Sequence, residues 1–169
     1  AMIEDCAPRL AENTGMSRDE AVSLMGAILP HLKRWSAVHA NEMSHGKEAR
    51  ERYGDAAVDA ANERLLGMSE AEWDAKEALE QAIIEQLKAA VAAGNAKGPE
   101  AAKLAQMHAR WIRMQWGEGT YSTNAHVALA QSYLEDERFV DYYDSRAGEG
   151  ATAVLVAAIE AAIGESGID

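Results

Sequence analysis

The sequence predicts an almost entirely α-helical protein, and three observations support this prediction. Alanine, the best helix former, occupies 35 of the 169 positions, whereas the strand-favouring valine, isoleucine and threonine together supply 20. Apolar residues recur at intervals of three or four along most of the chain. A serine and a glutamate three positions apart, as in a helix capping box, occur at Ser17 and Glu20 and again at Ser69 and Glu72. We therefore expect an all-α bundle of about six to eight helices.

Length, charge and cysteine content narrow the class of protein. A chain of 169 residues suits one domain. Its net charge of −12 argues against contact with nucleic acid or with anionic membranes, because both require a positive field. Cys6 is the single cysteine, so neither an internal disulfide nor a cysteine-based metal site is expected. With no apolar run near the ~20 residues of a membrane span and no signal peptide, the expectation is a soluble cytoplasmic domain.

Prolines and glycines divide the first part of the chain. Pro8 predicts at most a brief helix over residues 3–13. A helix then follows the capping serine Ser17, and Pro30 inside its apolar run predicts a break or a kink. Apolar and aromatic residues at helical spacing continue from there to Gly46.

Similar signals predict the next three helices. A more polar helix is expected over residues 47–66, with Gly67 as its left-handed stop. The longest helix should begin at the second capping box and end at Gly94. Pro99 is typical of a helix first turn and therefore predicts the start of the next helix.

The last part of the chain carries equally clear boundaries. Residues 116–120 are expected to form a loop because they contain two glycines. Ser122 and Asp136 can each cap a following helix. Gly148 and Gly150 separate these helices from a closing helix with a continuous apolar stripe.

The sequence shows no catalytic or metal-binding motif. It lacks a glycine-rich phosphate loop and a His-Glu-x-x-His zinc pair, and its carboxylates scatter over the predicted helix surfaces. We therefore expect a protein that is not an enzyme, with no catalytic residue, no metal and no cofactor. His126 shares an apolar face with Tyr133, and His108 lies on the same stripe as Trp111. Each histidine is a core side chain satisfied by a carbonyl or tyrosine hydroxyl, or a polar group that orients a ligand. A haem ligand is a third possibility, which nothing around a lone histidine supports.

The aromatic residues are few but concentrated. Seven of the ten lie within residues 111–143, and the chain also holds seven methionines. Such side chains fill helical cores, but they also line small-molecule pockets, which are mainly apolar and aromatic with a few polar groups. Composition alone leaves both interpretations open.

Three segments resemble one known family. Residues 121–144 resemble the signature of TipAS-type antibiotic-recognition domains, which reads Tyr-Ser-x-x-x-His, then a helix of small residues and leucine, then Tyr-x-x-Asp-x-Arg-Phe and Tyr-Asp. Residues 49–54, Ala-Arg-Glu-Arg-Tyr-Gly, resemble the family's Ala-x-x-Arg-Trp/Tyr-Gly entry, and residues 108–112 its His-x-x-Trp-(Ile/Leu) helix. The resemblance extends from about residue 47 to residue 163, whereas residues 3–45 match it much less clearly.

The resemblance implies a compact, globin-like helical bundle without haem that engulfs bulky antimicrobials, including thiopeptides and albicidin-like compounds. Members of this family form the ligand-binding part of MerR-type transcription activators or occur alone as drug-sequestering resistance proteins. The resemblance further implies that Trp111, Tyr121 and His126 line the ligand pocket. We add Met114 and Trp116 to the predicted pocket residues because of where they lie in the sequence. A homodimer is an expectation for a full-length regulator only.

Two departures from the family pattern shape the functional prediction. The short, acidic N-terminal region does not supply a DNA-binding helix-turn-helix, so the chain is expected to be either a fragment of a regulator or a stand-alone sequestering protein. Some members capture thiopeptides covalently through a cysteine near the Tyr-Ser block. Here Tyr121 stands roughly in that place, and Cys6 lies far away, so non-covalent binding is expected.

The resulting prediction is an antibiotic-binding module whose segments have different functions. We expect N-terminal helices over residues 1–45 that act as a lid, a ligand-binding domain over 46–164 and a tail over 165–169. In the lid, Trp35, His39 and Met43 are expected to contact the ligand. The alternative is a helical protein–protein interaction or dimerisation module without a small-molecule ligand, and an enzyme acting on the bound drug ranks last.

Overall fold

The computed structural model describes residues 2–117 and 119–166. These residues form helices joined by short loops, without a β-strand, which confirms the all-α prediction. The α-helices within the described residues are α1 (Met2–Thr14), α2 (Arg18–Asn41), α3 (Lys47–Tyr53), α4 (Asp55–Leu66), α5 (Glu70–Ala93), α6 (Pro99–Gln115), α7 (Thr123–Glu135), α8 (Glu137–Ala147) and α9 (Ala151–Ser166). A π-helical stretch, Glu42–Gly46, joins α2 to α3. None of the described helices is long and apolar enough to cross a membrane.

The chain divides into two compact units. Residues up to Glu70 form the first unit, and residues from Ala71 onwards form the second. The functional division predicted near residue 45 stays a prediction. Residues 165 and 166 of the predicted tail belong to α9, whereas residues 167–169 lie outside the described residues, as does Glu118 of the predicted loop.

In the first unit, α1 packs against α2. α1 is a full helix of 13 residues, so the prediction of at most a brief helix around Pro8 is wrong. α2 continues through Pro30, so the predicted break is wrong there, whereas the alternative of a kink stays a prediction. Proline removes one backbone hydrogen bond and crowds the carbonyl four residues earlier, and both helices tolerate this. The predicted capping box at Ser17 is confirmed, because the Ser17 and Glu20 side chains each bond the other residue's backbone N–H.

A network of charges joins the π-helical stretch to α3 and α4. The Arg50 guanidinium donates to carboxylates of Glu42 (2.7 Å), Asp55 (3.2 Å) and Asp59 (2.8 Å). Glu42 accepts a further bond from the Asn62 amide at 2.9 Å. These bonds lower the pKa of Glu42, chiefly through Arg50 and then through Asn62. In residues 49–54, which resemble the family's Ala-x-x-Arg-Trp/Tyr-Gly entry, the motif arginine is Arg52, and Arg50 stands at a variable position of the motif.

Glycines end the helices of this region in a different way from the prediction. The helix expected over residues 47–66 is divided at Gly54, which has a φ of 83°. α4 ends at Gly67 as predicted, but Gly67 keeps a right-handed conformation with a φ of −79°, so the predicted left-handed conformation there is wrong. Its N–H still bonds the Glu63 carbonyl at 2.9 Å, because the last helical turn simply continues to that residue.

In the second unit, α9 packs against α6, α7 and α8 and forms the centre of the core. The large apolar side chains of that core are Ile83, Ile84, Leu87, Leu104, Leu155 and Ile159. The predicted helix boundaries are confirmed: α5 ends before Gly94, α6 begins at Pro99, and Ser122 and Asp136 cap α7 and α8. These caps fix where α6 and α7 begin and end, and hence which of their side chains can meet.

Asp144 holds the start of α9. Its carboxylate accepts bonds from the backbone N–H of Gly150 (2.7 Å), the backbone N–H of Thr152 (2.8 Å) and the Thr152 hydroxyl (2.7 Å). The pKa of Asp144 is lowered, first by the backbone hydrogen bond from Thr152. The carboxylate therefore replaces the helical partners that the first turn of α9 lacks.

We expect Asp144→Ala to lower the free energy of unfolding by about 1–2 kcal/mol, the usual effect of losing a helix cap. The free energy of unfolding of Asp144→Asn should lie between those of Asp144→Ala and the wild type, because the asparagine amide oxygen still accepts a hydrogen bond. Urea denaturation at neutral pH measures both values. The matched control is Asp141→Ala, an exposed aspartate on the same helix α8, and equal stabilities of the two alanine variants would contradict the capping role.

Candidate functional site

Two buried histidines meet between α6 and α7. His108 is 0% exposed and His126 is 1% exposed, and His108 Nδ1 lies 2.8 Å from His126 Nε2. The two rings are nearly parallel, with an interplanar angle of 3° and centroids 5.0 Å apart. At this distance one nitrogen carries the proton and the other accepts it. The pair therefore forms a hydrogen bond that is closed to solvent.

A tyrosine hydroxyl lies at each end of the histidine pair. The Tyr121 hydroxyl is 3.2 Å from His126 Nδ1, and the Tyr133 hydroxyl is 3.4 Å from His108 Nε2. We call these four residues the His–Tyr chain. It leads from Tyr121, which is partly exposed, to Tyr133, which is buried. Every ring nitrogen of the two histidines thus has a partner within the protein.

Burial keeps both imidazoles neutral. Burial, and to a smaller extent the neighbouring His126, lowers the pKa of His108 to about 3. Burial, and to a smaller extent the positive charge of Arg113, lowers the pKa of His126 to about 4. At neutral pH each ring therefore offers one N–H and one lone pair, which suits hydrogen bonding and not electrostatic binding.

Aromatic side chains extend this chain towards the solvent. The Trp116 ring lies 6.0 Å from the Tyr121 ring, and the Trp111 ring lies 5.7 Å from the His108 ring. The rings of Trp111, His108, His126, Tyr121 and Trp116 thus form a continuous series of contacts, which we call the ring series. Trp111, Trp116 and Tyr121 are partly exposed. The series therefore joins a buried polar pair to an accessible aromatic surface.

Two further polar groups accompany the ring series. The Arg113 guanidinium stacks on Tyr121, with its central carbon 4.1 Å from the ring centroid. The Trp111 Nε1–H is buried and has no hydrogen-bond acceptor among the described residues. A buried donor without a partner costs about 1–3 kcal/mol, so an acceptor brought by a ligand would recover part of that energy.

The structure brings four of the predicted site residues into contact. Trp111, Trp116, Tyr121 and His126 all belong to the ring series. Met114 lies on α6, partly buried. The sequence left open whether His126 is a core or a ligand-facing side chain. His126 is buried and hydrogen-bonds the Tyr121 hydroxyl, so that hydroxyl, and not the His126 ring, lies nearer the surface.

The three predicted lid residues lie in the first unit. Trp35 is 55% exposed and stacks on His39, with ring centroids 4.8 Å apart. Met43 is 76% exposed in the π-helical stretch. Their role as lid residues stays a prediction.

Sequence reasoning missed two contributors to the site. His108 was left open in the same way as His126 and was not assigned to the site, although its position on the Leu104 and Trp111 stripe already indicated a buried face. Arg113 gave no signal, because an exposed arginine on a helix is ordinary. Only the fold shows that its guanidinium reaches the Tyr121 ring.

No metal site accompanies these residues in the described part of the chain. No group of three or more histidine, cysteine, aspartate or glutamate side chains there could hold a metal ion. Cys6 is exposed on α1, in the first unit. The chemistry that the site offers is therefore aromatic stacking together with neutral hydrogen bonding.

Comparison with known families identifies this type of site. The model of the TipAS antibiotic-recognition domain matches residues 45–162, which include α3 to α8 and most of α9. The match confirms the family predicted from the three segments and assigns to the chain the recognition of antibiotics as ligands. No curated protein and no solved structure matched the chain significantly.

The lowered pKa values predict how stability depends on pH. The unfolded chain protonates these imidazoles below about pH 6.5, whereas folded His126 stays neutral down to about pH 4. The unfolded state thus binds more protons in this window, and the free energy of unfolding should decrease as the pH falls. The slope is about 1.4 kcal/mol per pH unit for each such imidazole.

Urea denaturation at several values from about pH 6.5 to about pH 4 measures this slope. His126→Gln removes one of the two titrating groups, so its slope should be shallower than that of the wild type. Asn124→Gln, at an exposed position of the same helix α7 and without a titratable group, is the control and should keep the wild-type slope. A wild-type slope in His126→Gln would contradict the burial of a neutral imidazole.

Proposed function

Because the chain belongs to the TipAS antibiotic-recognition domain family, we propose that it binds a bulky, hydrophobic antibiotic, a thiopeptide or an albicidin-like compound, without forming a covalent bond. The ring series carries this proposal. It presents three partly exposed aromatic side chains, Trp111, Trp116 and Tyr121, and connects them to buried polar groups. Pockets for small molecules combine these two features.

Aromatic stacking would supply much of the affinity. Each well-placed aromatic pair contributes about 0.5–1.5 kcal/mol beyond the burial of its area. Trp111 and Trp116 provide large, rigid faces for such contacts, and Met114 on α6 adds an adaptable side chain. The unpaired Trp111 Nε1–H would donate to a carbonyl oxygen of the ligand.

Tyr121 would supply the second polar contact. Its hydroxyl lies at the partly exposed end of the His–Tyr chain, so it can meet a ligand directly. His126, which is buried behind it, would fix the position of that hydroxyl. Non-covalent binding is supported by the sequence, because residues 71–169, which hold the ring series, contain no cysteine.

In the cell, this binding would serve one of two purposes in the cytoplasm. The domain would act as the multidrug sensor of a MerR-type transcriptional regulator, or it would sequester the antibiotic and confer resistance by itself. In both cases the ligand is a small molecule, and the net charge of −12 argues against direct nucleic-acid contact by this chain. Neither purpose requires a cofactor or a catalytic residue.

The alternative is a protein–protein interaction or dimerisation module. It is favoured by the apolar side chains that α2 exposes at helical spacing, Ile28, Leu32 and Trp35, which are 43%, 52% and 55% exposed. Light scattering on the free protein separates the two proposals. A stable dimer that binds no antibiotic would favour the alternative, whereas a ligand-binding monomer would exclude it.

We expect calorimetric titration with a panel of thiopeptides and albicidin-like compounds to show saturable binding at micromolar or tighter affinity. Trp111→Phe should weaken it about tenfold, the effect of one lost hydrogen bond. The matched control is Trp73→Phe, because the Trp73 Nε1–H already donates to Glu77 at 2.9 Å. Equal affinities of the two variants would contradict the role of Trp111, and no binding across the panel would contradict the proposed function.

The lid proposal predicts a separate effect at Trp35. Trp35→Ala should weaken binding of the same compound but leave the melting temperature of the free protein unchanged, because the side chain is exposed. Leu32→Ala, at a neighbouring exposed position of α2, controls for a general loss of apolar surface. Unchanged affinity in Trp35→Ala would exclude a lid contact by this residue.

A further inference from the structure

The hydrogen bonds of the His–Tyr chain cannot reverse independently of one another. Each neutral imidazole has one N–H and one lone pair, so a ring that accepts on one side must donate on the other. If Tyr121 donates to His126 Nδ1, the His126 proton lies on Nε2 and points to His108 Nδ1. The His108 proton then lies on its own Nε2 and points to the Tyr133 oxygen. We call this arrangement the inward state.

The opposite arrangement, the outward state, reverses every bond. Tyr133 then donates to His108 Nε2, and both histidines carry their proton on Nδ1. A mixed arrangement would place two N–H groups or two lone pairs against each other across 2.8 Å in a buried site. Both histidines must therefore adopt the same tautomer.

The position of Arg113 selects between the two states. Its guanidinium stacks on Tyr121, the residue that faces His126 Nδ1. A positive charge at this end of the chain favours lone pairs there and disfavours a proton on Nδ1. The inward state, which points every proton away from Arg113, is thus the more stable one.

We propose that the His–Tyr chain, set by Arg113, fixes the Tyr121 hydroxyl as a hydrogen-bond acceptor towards the ligand. The Tyr121 proton is committed to His126, and its remaining lone pair faces outwards. The site then offers a hydrogen-bond acceptor at Tyr121. Secondary amides, whose N–H can donate to this oxygen, are the groups that we expect the ligand to bring there. This inference rests on the proposed function for the ligand, but the tautomers belong to the free protein.

The buried end of the chain gives the test a variant that is remote from the ligand. In the inward state, the Tyr133 oxygen accepts from His108 Nε2–H. Tyr133→Phe removes this acceptor, and with it a hydrogen bond between the Tyr133 and Tyr143 hydroxyls. The inward state would then leave a buried His108 N–H without a partner, whereas a buried lone pair without a partner is better tolerated. The His–Tyr chain should therefore switch to the outward state. The Tyr121 hydroxyl should then donate to the ligand instead of accepting from it.

NMR spectroscopy of the free protein labelled with ¹⁵N-histidine distinguishes the two tautomers of each ring. We expect both His108 and His126 as Nε2–H tautomers in the wild type and both as Nδ1–H tautomers in Tyr133→Phe. The matched control is Tyr142→Phe, which removes a hydroxyl of α8 that bonds Glu80 and not the chain. It should leave both tautomers as in the wild type. Different tautomers on the two rings, or Nδ1–H tautomers in the wild type, would overturn the proposal.

A surface variant covers the case in which Tyr133→Phe does not fold. Arg113→Gln removes the charge from the Tyr121 end and should raise the Nδ1–H fraction of both histidines together. Arg110→Gln, the same change at an exposed position of the same helix, should leave the Nδ1–H fractions unchanged. If only one histidine responds to Arg113→Gln, the coupling does not exist.

Calorimetry separates this proposal from the proposed function. With the compound that binds most tightly in the panel, Tyr133→Phe should lose affinity about tenfold and Tyr142→Phe should not. Wild-type affinity in Tyr133→Phe, together with switched tautomers, would overturn the acceptor role of Tyr121 while leaving antibiotic binding intact. If no compound binds, the proposed function fails, and the tautomers still decide the coupling within the chain.

Discussion

The bond between His108 and His126 constrains the second unit because both rings lie beyond the reach of water. Each imidazole must find its partners inside the protein, and the two facing nitrogens share one proton across 2.8 Å. This geometry requires α6 and α7 to keep their register. α9 packs against both helices, so the bonds from the Asp144 carboxylate to the start of α9 support the histidine pair from a distance. The geometry of the candidate site thus depends on residues outside the ring series, such as Asp144.

Residues of the family signature divide between two physical roles. Asp136 caps α8 and binds the Arg138 guanidinium through both of its oxygens, and Asp144 holds the start of α9. These residues fix where helices begin. Tyr121 and His126, in the same signature, belong to the ring series instead. A match to the whole signature therefore identifies the family, but it does not by itself say which residues meet the ligand.

Sequence patterns predicted the helix boundaries of the second unit well, because caps and glycines act over a few residues. The same local reasoning failed at Pro30, through which α2 continues, and at Gly67, where α4 ends as predicted but without a left-handed conformation. The helical stripe through His108 indicated a buried face but not its partner, since periodicity does not say which helices face each other. The contact of Arg113 with Tyr121 could not be predicted from the sequence either, because it depends on where the loop after α6 places the Tyr121 ring.

Neutral hydrogen bonding gives such a site a particular kind of selectivity. If the ligand stacks on Trp111 and Trp116 as proposed, these contacts would tolerate many ring systems, because stacking depends on area and shape more than on chemistry. The polar contacts are more demanding, since a buried group left without a partner weakens binding. Tyr121 is held by His126 before any ligand arrives, so little order must be created on binding. Under the proposed function, such a site would accept antibiotics with different ring systems, provided that each brings an N–H to the Tyr121 hydroxyl.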